Sequence, residues 1–134
     1  MSTIFKKLNL KDQEEIMVLN APESFENELS MLSVVDVKRN LEDVSKIEFS
    51  LAFVIKQDEL DRISSAVADK VEEDALIWFA YPKKSSKKYT CEFSRDTGWH
   101  VLGDAGFEPV RMVAIDADWS ALRFRRVDYI KSMS

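Results

Sequence analysis

The chain predicts a three-layer α/β sandwich whose sheet is mostly parallel and ends in an antiparallel C-terminal hairpin. Three observations carry that expectation. Short apolar runs of strand length alternate with amphipathic helical stripes along most of the 134 residues, the pattern of a sheet covered by helices on both faces. Residues 47–55 (IEFSLAFVI) and 75–81 (ALIWFAY) are apolar at nearly every position, as strands buried on both faces are. Residues 107–116 and 119–127 are two β-rich segments separated only by Ala117-Asp118, a spacing that suits a tight hairpin.

Each element has its own local reason. Thr3 is placed to cap a first helical turn with Ile4, Phe5 and Leu8 on one side. Residues 15–20 (EIMVLN) read as a strand that stops at Ala21-Pro22, and a proline suits the first position of a helix because its missing N–H needs no partner there. That helix, over 23–32, carries Phe25, Leu29 and Leu32 on one face, with Glu23 and Glu26 at its positive end. Residues 34–38 alternate weakly as a short strand, and 47–55 fit a central parallel one. From Asp58, a second helix sets Leu60, Ile63, Val67 and Val71 opposite Asp61, Arg62, Ser65 and Asp69. After the strand at 75–84, Ser94 is placed to cap a third helix with Trp99 and Leu102 inward and Gly106 as its stop. The order β-α-β-β-α-β-α-β-β, wound with right-handed crossovers, makes a Rossmann-like sandwich. It is expected to form one α/β domain over residues 1–127, with 128–134 as a frayed tail.

Composition excludes several classes. With 46% hydrophobic and 32% charged residues but only three glycines and three prolines, the chain is neither disordered nor collagenous. The net charge of −5 makes nucleic acid an unlikely partner. No apolar run approaches the roughly 20 residues that span a bilayer, so no membrane partner is expected. Cys91 is the single cysteine and the N-terminus lacks an apolar leader core, which predicts a cytoplasmic location.

A Rossmann-like sheet holds ligands outside the carboxyl ends of its strands. The groups expected there are Asn20, Tyr81, Lys83, Lys84, Asp116 and Trp119, with Arg95 at the start of the following helix. Lys83, Lys84, Lys87 and Lys88 lie within six residues and, with Arg95, suit a phosphate or carboxylate. Asp116 and Asp118 have a spacing seen in cation sites, but turn acids that bond their own backbone are the commoner case. Trp119 is placed to stack on a planar ligand, and Arg123 needs an ion-pair partner such as Asp96 or Asp116 if its face is covered. Cys91, His100 and Asp104 are the residue types of a thiol mechanism, though no spacing brings them together. No glycine precedes Gly98, which removes phosphate-cradling and dinucleotide turns from the first two thirds of the chain. No metal set and no cofactor motif stands out.

The strings VLNAPESF, IWFAYPKKSS, SRDTGW and GFEPVRMVAIDADWSALRFR resemble a bacterial family of small, stand-alone Rossmann-like proteins with no assigned reaction. That family is loosely akin to the later half of class I methyltransferases. The resemblance covers most of the chain and is most specific over residues 78–125. It implies a final hairpin with an inserted antiparallel strand. Asn9 and Asp12-Gln13 depart from it, standing where a glycine and a proline-glycine pair often precede the first strand. S-adenosylmethionine binding in the methyltransferase fold usually uses a glycine-rich turn after the first strand and an acid after the next. Here the turn is Asn20-Ala21-Pro22, and Asp36 lies within the weak strand.

Two readings follow. The first is a binding or interaction module whose strand-end crevice takes a protein or a small anionic ligand. The alternative is a methyltransferase-like small-molecule transferase with Asn20, Tyr81, Lys83 and Asp116 around the crevice; a crevice plugged by Tyr81 and Trp119 would count against it.

Overall fold

A computed structural model describes residues 3–32 and 35–131. Its strands are β1 (Glu15–Leu19), β2 (Asp36–Lys38), β3 (Ile47–Phe53), β4 (Val71–Pro82), β5 (Phe107–Ala114) and β6 (Trp119–Arg126). They form one six-stranded sheet in the order β2-β1-β3-β4-β6-β5. The first four run parallel, and β6 inserts antiparallel to both β4 and β5. This is the Rossmann-like sheet with an antiparallel C-terminal hairpin that the sequence predicts.

The helices are α1 (Thr3–Lys7), α2 (Glu26–Ser30), α3 (Gln57–Lys70), α4 (His100–Asp104) and α5 (Val127–Lys131). They divide the core into two layers. On one sheet face, Phe5 of α1, Leu8 just after it, Phe25 of the 3₁₀ turn before α2 and Leu29 of α2 pack on Phe49, Leu51, Phe53, Trp78 and Trp119. On the other, Leu60, Ile63 and Val67 of α3 and Leu102 of α4 cover Ile77, Phe79, Tyr81, Leu122 and Phe124. Period-two alternation along β4 and β6 sends neighbouring side chains to opposite layers, which is why a continuous apolar run was needed in β4. Trp78, fully buried, donates its indole N–H to the Leu8 carbonyl at 2.9 Å and ties α1 to the sheet.

Several boundaries differ from expectation for local reasons. Pro22 precedes a 3₁₀ turn (Glu23–Phe25) rather than opening a regular helix, and α2 ends at Ser30. Strand β4 starts at Val71, directly after α3. Its acidic entry is not strand-like in sequence but is held by ion pairs: Lys46 with Glu72 at 3.2 Å, and Arg125 with Asp74 at 2.5 Å. Arg123 lies 4.0 Å from that same Asp74, so neither Asp96 nor Asp116 is its partner. Burial opposes the Arg123 charge and Asp74 supports it. Asn9 adopts φ 69, a left-handed conformation asparagine tolerates better than most residues, and so replaces a glycine before β1. Residues 128–131, expected as tail, belong to α5, while 132–134 lie outside the described residues. So do the start of the short strand at Val34 and the side chain of Thr3, its expected cap.

Candidate functional site

Strand β1 lies between β2 and β3, so the strand order reverses at the carboxyl ends of β1 and β3, where open α/β sheets hold ligands. In this chain groups at those strand ends bond to one another and to Glu59. Asn20 ends β1 at φ 57; its amide donates to the Phe53 carbonyl and to Glu59 Oε2, each at 3.3 Å. The Ile55 N–H donates to Glu59 Oε1 at 3.0 Å. These bonds lace both strand ends to the first turn of α3. Alongside runs a chain of rings: Phe25 to Phe53 at 5.0 Å, Phe53 to Trp119 at 5.0 Å, and Trp119 to Tyr89 at 4.9 Å. Trp119 is 3% exposed, and its indole nitrogen is buried without a hydrogen-bond partner among the described residues.

An open pocket of about 780 Å³ lies at the carboxyl end of β4, between the start of β6 and residues 83–97. Its buried end carries Tyr81 and Ser120, which face each other as register partners across β4 and β6. Among the described residues, the Tyr81 hydroxyl reaches only the Met112 sulfur, at 3.5 Å. Its exposed mouth carries Lys83, Lys84 and Arg95. Burial pushes the Tyr81 phenol and the Cys91 thiol above their ordinary values, so Cys91 at neutral pH is a thiol rather than the nucleophilic thiolate.

The loop that forms the mouth is anchored at several points. Ser86 donates to Asp118 Oδ1 at 2.8 Å and accepts from the Lys88 and Tyr89 N–H groups at 3.3 and 3.2 Å. The Lys83 N–H donates to the Asp118 carbonyl at 2.8 Å. Glu92 accepts from the Gln57 N–H at 2.8 Å, and the Gln57 side chain donates to the Gly98 carbonyl, also at 2.8 Å. Gly98 has φ +97, and a Cβ there would meet Phe93 Cβ at 2.6 Å. Ser94 does not cap a helix: it turns tightly against Thr97, with the two hydroxyls 3.0 Å apart, and α4 begins only at His100. The left-handed Gly98 between them interrupts any helical path.

The structure therefore brings Tyr81, Lys83, Lys84 and Arg95 together around one pocket, and sets Asn20, Asp116 and Trp119 outside its lining. Asp116 Oδ1 accepts from the Asp118 and Trp119 N–H groups at 2.8 and 2.9 Å, closing the hairpin turn on its own backbone. Trp119 is core, its stacking face taken by Phe53 and Tyr89. His100 lies 3.7 Å from Asp61 on the α3 surface, and Cys91 borders the pocket. Among the described residues, no group of three or more His, Cys, Asp or Glu is gathered as metal ligands would be. Ser120 is among the pocket residues that sequence reasoning missed, with Ser86, Tyr89, Thr90 and Met112. Alternation puts Ser120 on the Leu122 and Phe124 face, but its pairing with Tyr81 depends on β6 inserting beside β4.

No protein-family model and no curated protein sequence matches the chain. Solved structures do match in fold. A SAM-dependent methyltransferase from Aquifex aeolicus superposes with a TM-score of 0.58 at 14% identity, covering 92% of this chain and 88% of that one. Magnesium protoporphyrin IX methyltransferase from Synechocystis PCC 6803, solved with bound SAM, gives 0.56 at 11% identity over 92% of this chain and 74% of its own. Ribosomal protein L11 methylase from Lactobacillus delbrueckii subsp. bulgaricus gives 0.56 at 13% identity, covering 92% and 76%. The chain thus carries the Rossmann-like fold of the SAM-dependent methyltransferases.

Proposed function

We propose that this chain is a binding module on a methyltransferase-like fold, and that it takes a small anionic ligand in the pocket at the carboxyl end of β4. One observation carries this reading. At the switch point Asn20 is tied to Phe53 and Glu59 and the Phe25, Phe53 and Trp119 rings belong to the core, while the pocket at the end of β4, bordered by Tyr89, stays open and presents Lys83, Lys84 and Arg95. Of the pocket's two carboxylates, Glu92 is used by the Gln57 N–H and Asp96 by Arg95 at 3.4 Å. Lys83 and Lys84 make no ion pair among the described residues, so their ammonium groups are available to a phosphate or carboxylate. The same reading places the chain in the cytoplasm as a single domain, without a membrane or nucleic-acid partner. It draws on the net charge of −5 and on the described helices, none of which is long and apolar enough to cross a bilayer.

A second reading, methyl transfer, is favoured by the bound SAM of a structural neighbour. In this chain it requires the Asn20 bonds to Phe53 and Glu59 to give way and the glycine-free turn at Asn20 to approach the ligand. A thermal-shift titration of the ligand-free protein separates the two. A ligand at 100 times its Kd adds about 2.7 kcal/mol. Inorganic phosphate is expected to raise Tm, less so at high salt, with the gain lost in a Lys83→Ala, Arg95→Ala double variant. A rise with S-adenosylmethionine or S-adenosylhomocysteine instead would favour the transferase and overturn the first reading.

A further inference from the structure

From the two ends of this pocket we infer the chemical class of the ligand: a small phosphorylated molecule bearing hydroxyl groups, its phosphate at Lys83, Lys84 and Arg95 and its hydroxyls against Tyr81 and Ser120. The inference rests on the binding-module reading and narrows it. Tyr81 and Ser120 are 6% and 8% exposed, yet their hydroxyls are poorly satisfied. Ser120 makes no side-chain hydrogen bond among the described residues, and the only partner of the Tyr81 hydroxyl is a thioether at 3.5 Å, a weak acceptor. Buried polar groups are ordinarily paired. A hydroxyl with only a thioether partner and a second with no side-chain bond, both lining the inner end of one cavity, therefore mark a place where a ligand completes the bonding. Each can donate and accept, as a ligand hydroxyl can, so an alcohol matches them better than a second anion does.

Size and charge agree with that division. About 780 Å³ falls within the range of small-molecule sites and exceeds what a bare phosphate fills. Three cations at the mouth suit a dianionic phosphoester, and the lysines act on it as point charges. A bare anion would satisfy the mouth and leave the inner hydroxyls unpaired.

Calorimetric titrations with inorganic phosphate, glycerol 3-phosphate, ribose 5-phosphate and ribose test this in the wild type and in Tyr81→Phe, Ser120→Ala and Lys83→Ala. The phosphate esters are expected to bind at least about tenfold more tightly than inorganic phosphate, and Tyr81→Phe and Ser120→Ala each to weaken the better ester by about fivefold to tenfold. Neither variant should change inorganic phosphate binding, whereas Lys83→Ala should weaken both. Ser120→Ala removes a hydroxyl that holds nothing in the fold, and ligand-free melting checks that each variant is folded. Esters no tighter than phosphate, or hydroxyl variants that leave ester binding unchanged, would overturn the ligand class and leave the anion pocket standing. Failure of phosphate and of every ester to bind would remove the binding-module reading, and this inference with it.

Discussion

Trp78 connects three levels of the structure through one side chain. Its ring is fully buried in the layer under α1, and its N–H closes the Leu8 carbonyl, one of those that α1 leaves without an intrahelical partner. Trp78→Phe keeps an aromatic ring but is smaller and strands that carbonyl, so a loss of at least about 1–3 kcal/mol is expected in chemical denaturation. Asn20 is the corresponding residue at the crevice. With φ 57 and two side-chain bonds, Asn20→Ala should cost about 1–2 kcal/mol for the left-handed backbone alone, read as a lower denaturation midpoint. The pocket supplies a pH dependence. Burial holds the Tyr81 phenol and the Cys91 thiol above their ordinary values, so the folded chain retains protons that the unfolded chain releases from about pH 8.5 upward. Their contribution is fully present below that pH and is lost as pH rises through the folded values. Tm is therefore expected to fall on the alkaline side, and Cys91→Ala to flatten the first part of the fall; an unchanged profile in the variant would assign the loss to other groups.

At the level of elements, legibility followed periodicity. Helix α3 was readable because Leu60, Ile63 and Val67 form one stripe over a length that leaves little alternative, and all three are buried against the sheet. The third helix was misread because Ser94 has the chemistry of a cap. What decides the path is Gly98, whose left-handed φ and contact with Phe93 depend on a tertiary neighbour. The entry to β4 was missed for a similar reason: residues 72–74 are acidic, and their place in the strand comes with tertiary ion pairs from Lys46 to Glu72 and Arg125 to Asp74. The lysine loop is an element without regular structure, and Ser86 is its tie to the hairpin turn. Ser86→Ala should speed amide hydrogen exchange over residues 83–92 while changing global stability by at most about 1.5 kcal/mol. Exchange that stays as slow as in the wild type would mean that the backbone bonds from the Lys83 N–H to the Asp118 carbonyl and from the Glu92 N–H to the Ile55 carbonyl hold the loop without it.

For the molecule as a whole, the alternation of runs and stripes was enough to foresee a mostly parallel sheet with helices on both faces and a closing antiparallel hairpin. The site was legible only in part. Strand-end position identified Tyr81 and the lysines, but which strand ends share a pocket depends on strand order, and strand order is set by long-range pairing. Thus Asn20, tied to Phe53 and Glu59 at the switch point, and Trp119, packed in the core, are equally strand-terminal but do not line the open pocket. The relation between those two places is what distinguishes this chain's geometry from that of a fold built to hold its ligand at the switch point. Mapping amide chemical-shift changes on the labelled protein, during titration with inorganic phosphate and separately with S-adenosylhomocysteine, reads both places at once. Shifts confined to residues 81–97 and 120 with phosphate, and none at 20–25 or 53–59 with S-adenosylhomocysteine, are the predicted result. Saturable shifts at Asn20, Ala21 and Lys56 with S-adenosylhomocysteine would show that the crevice opens, and would contradict it.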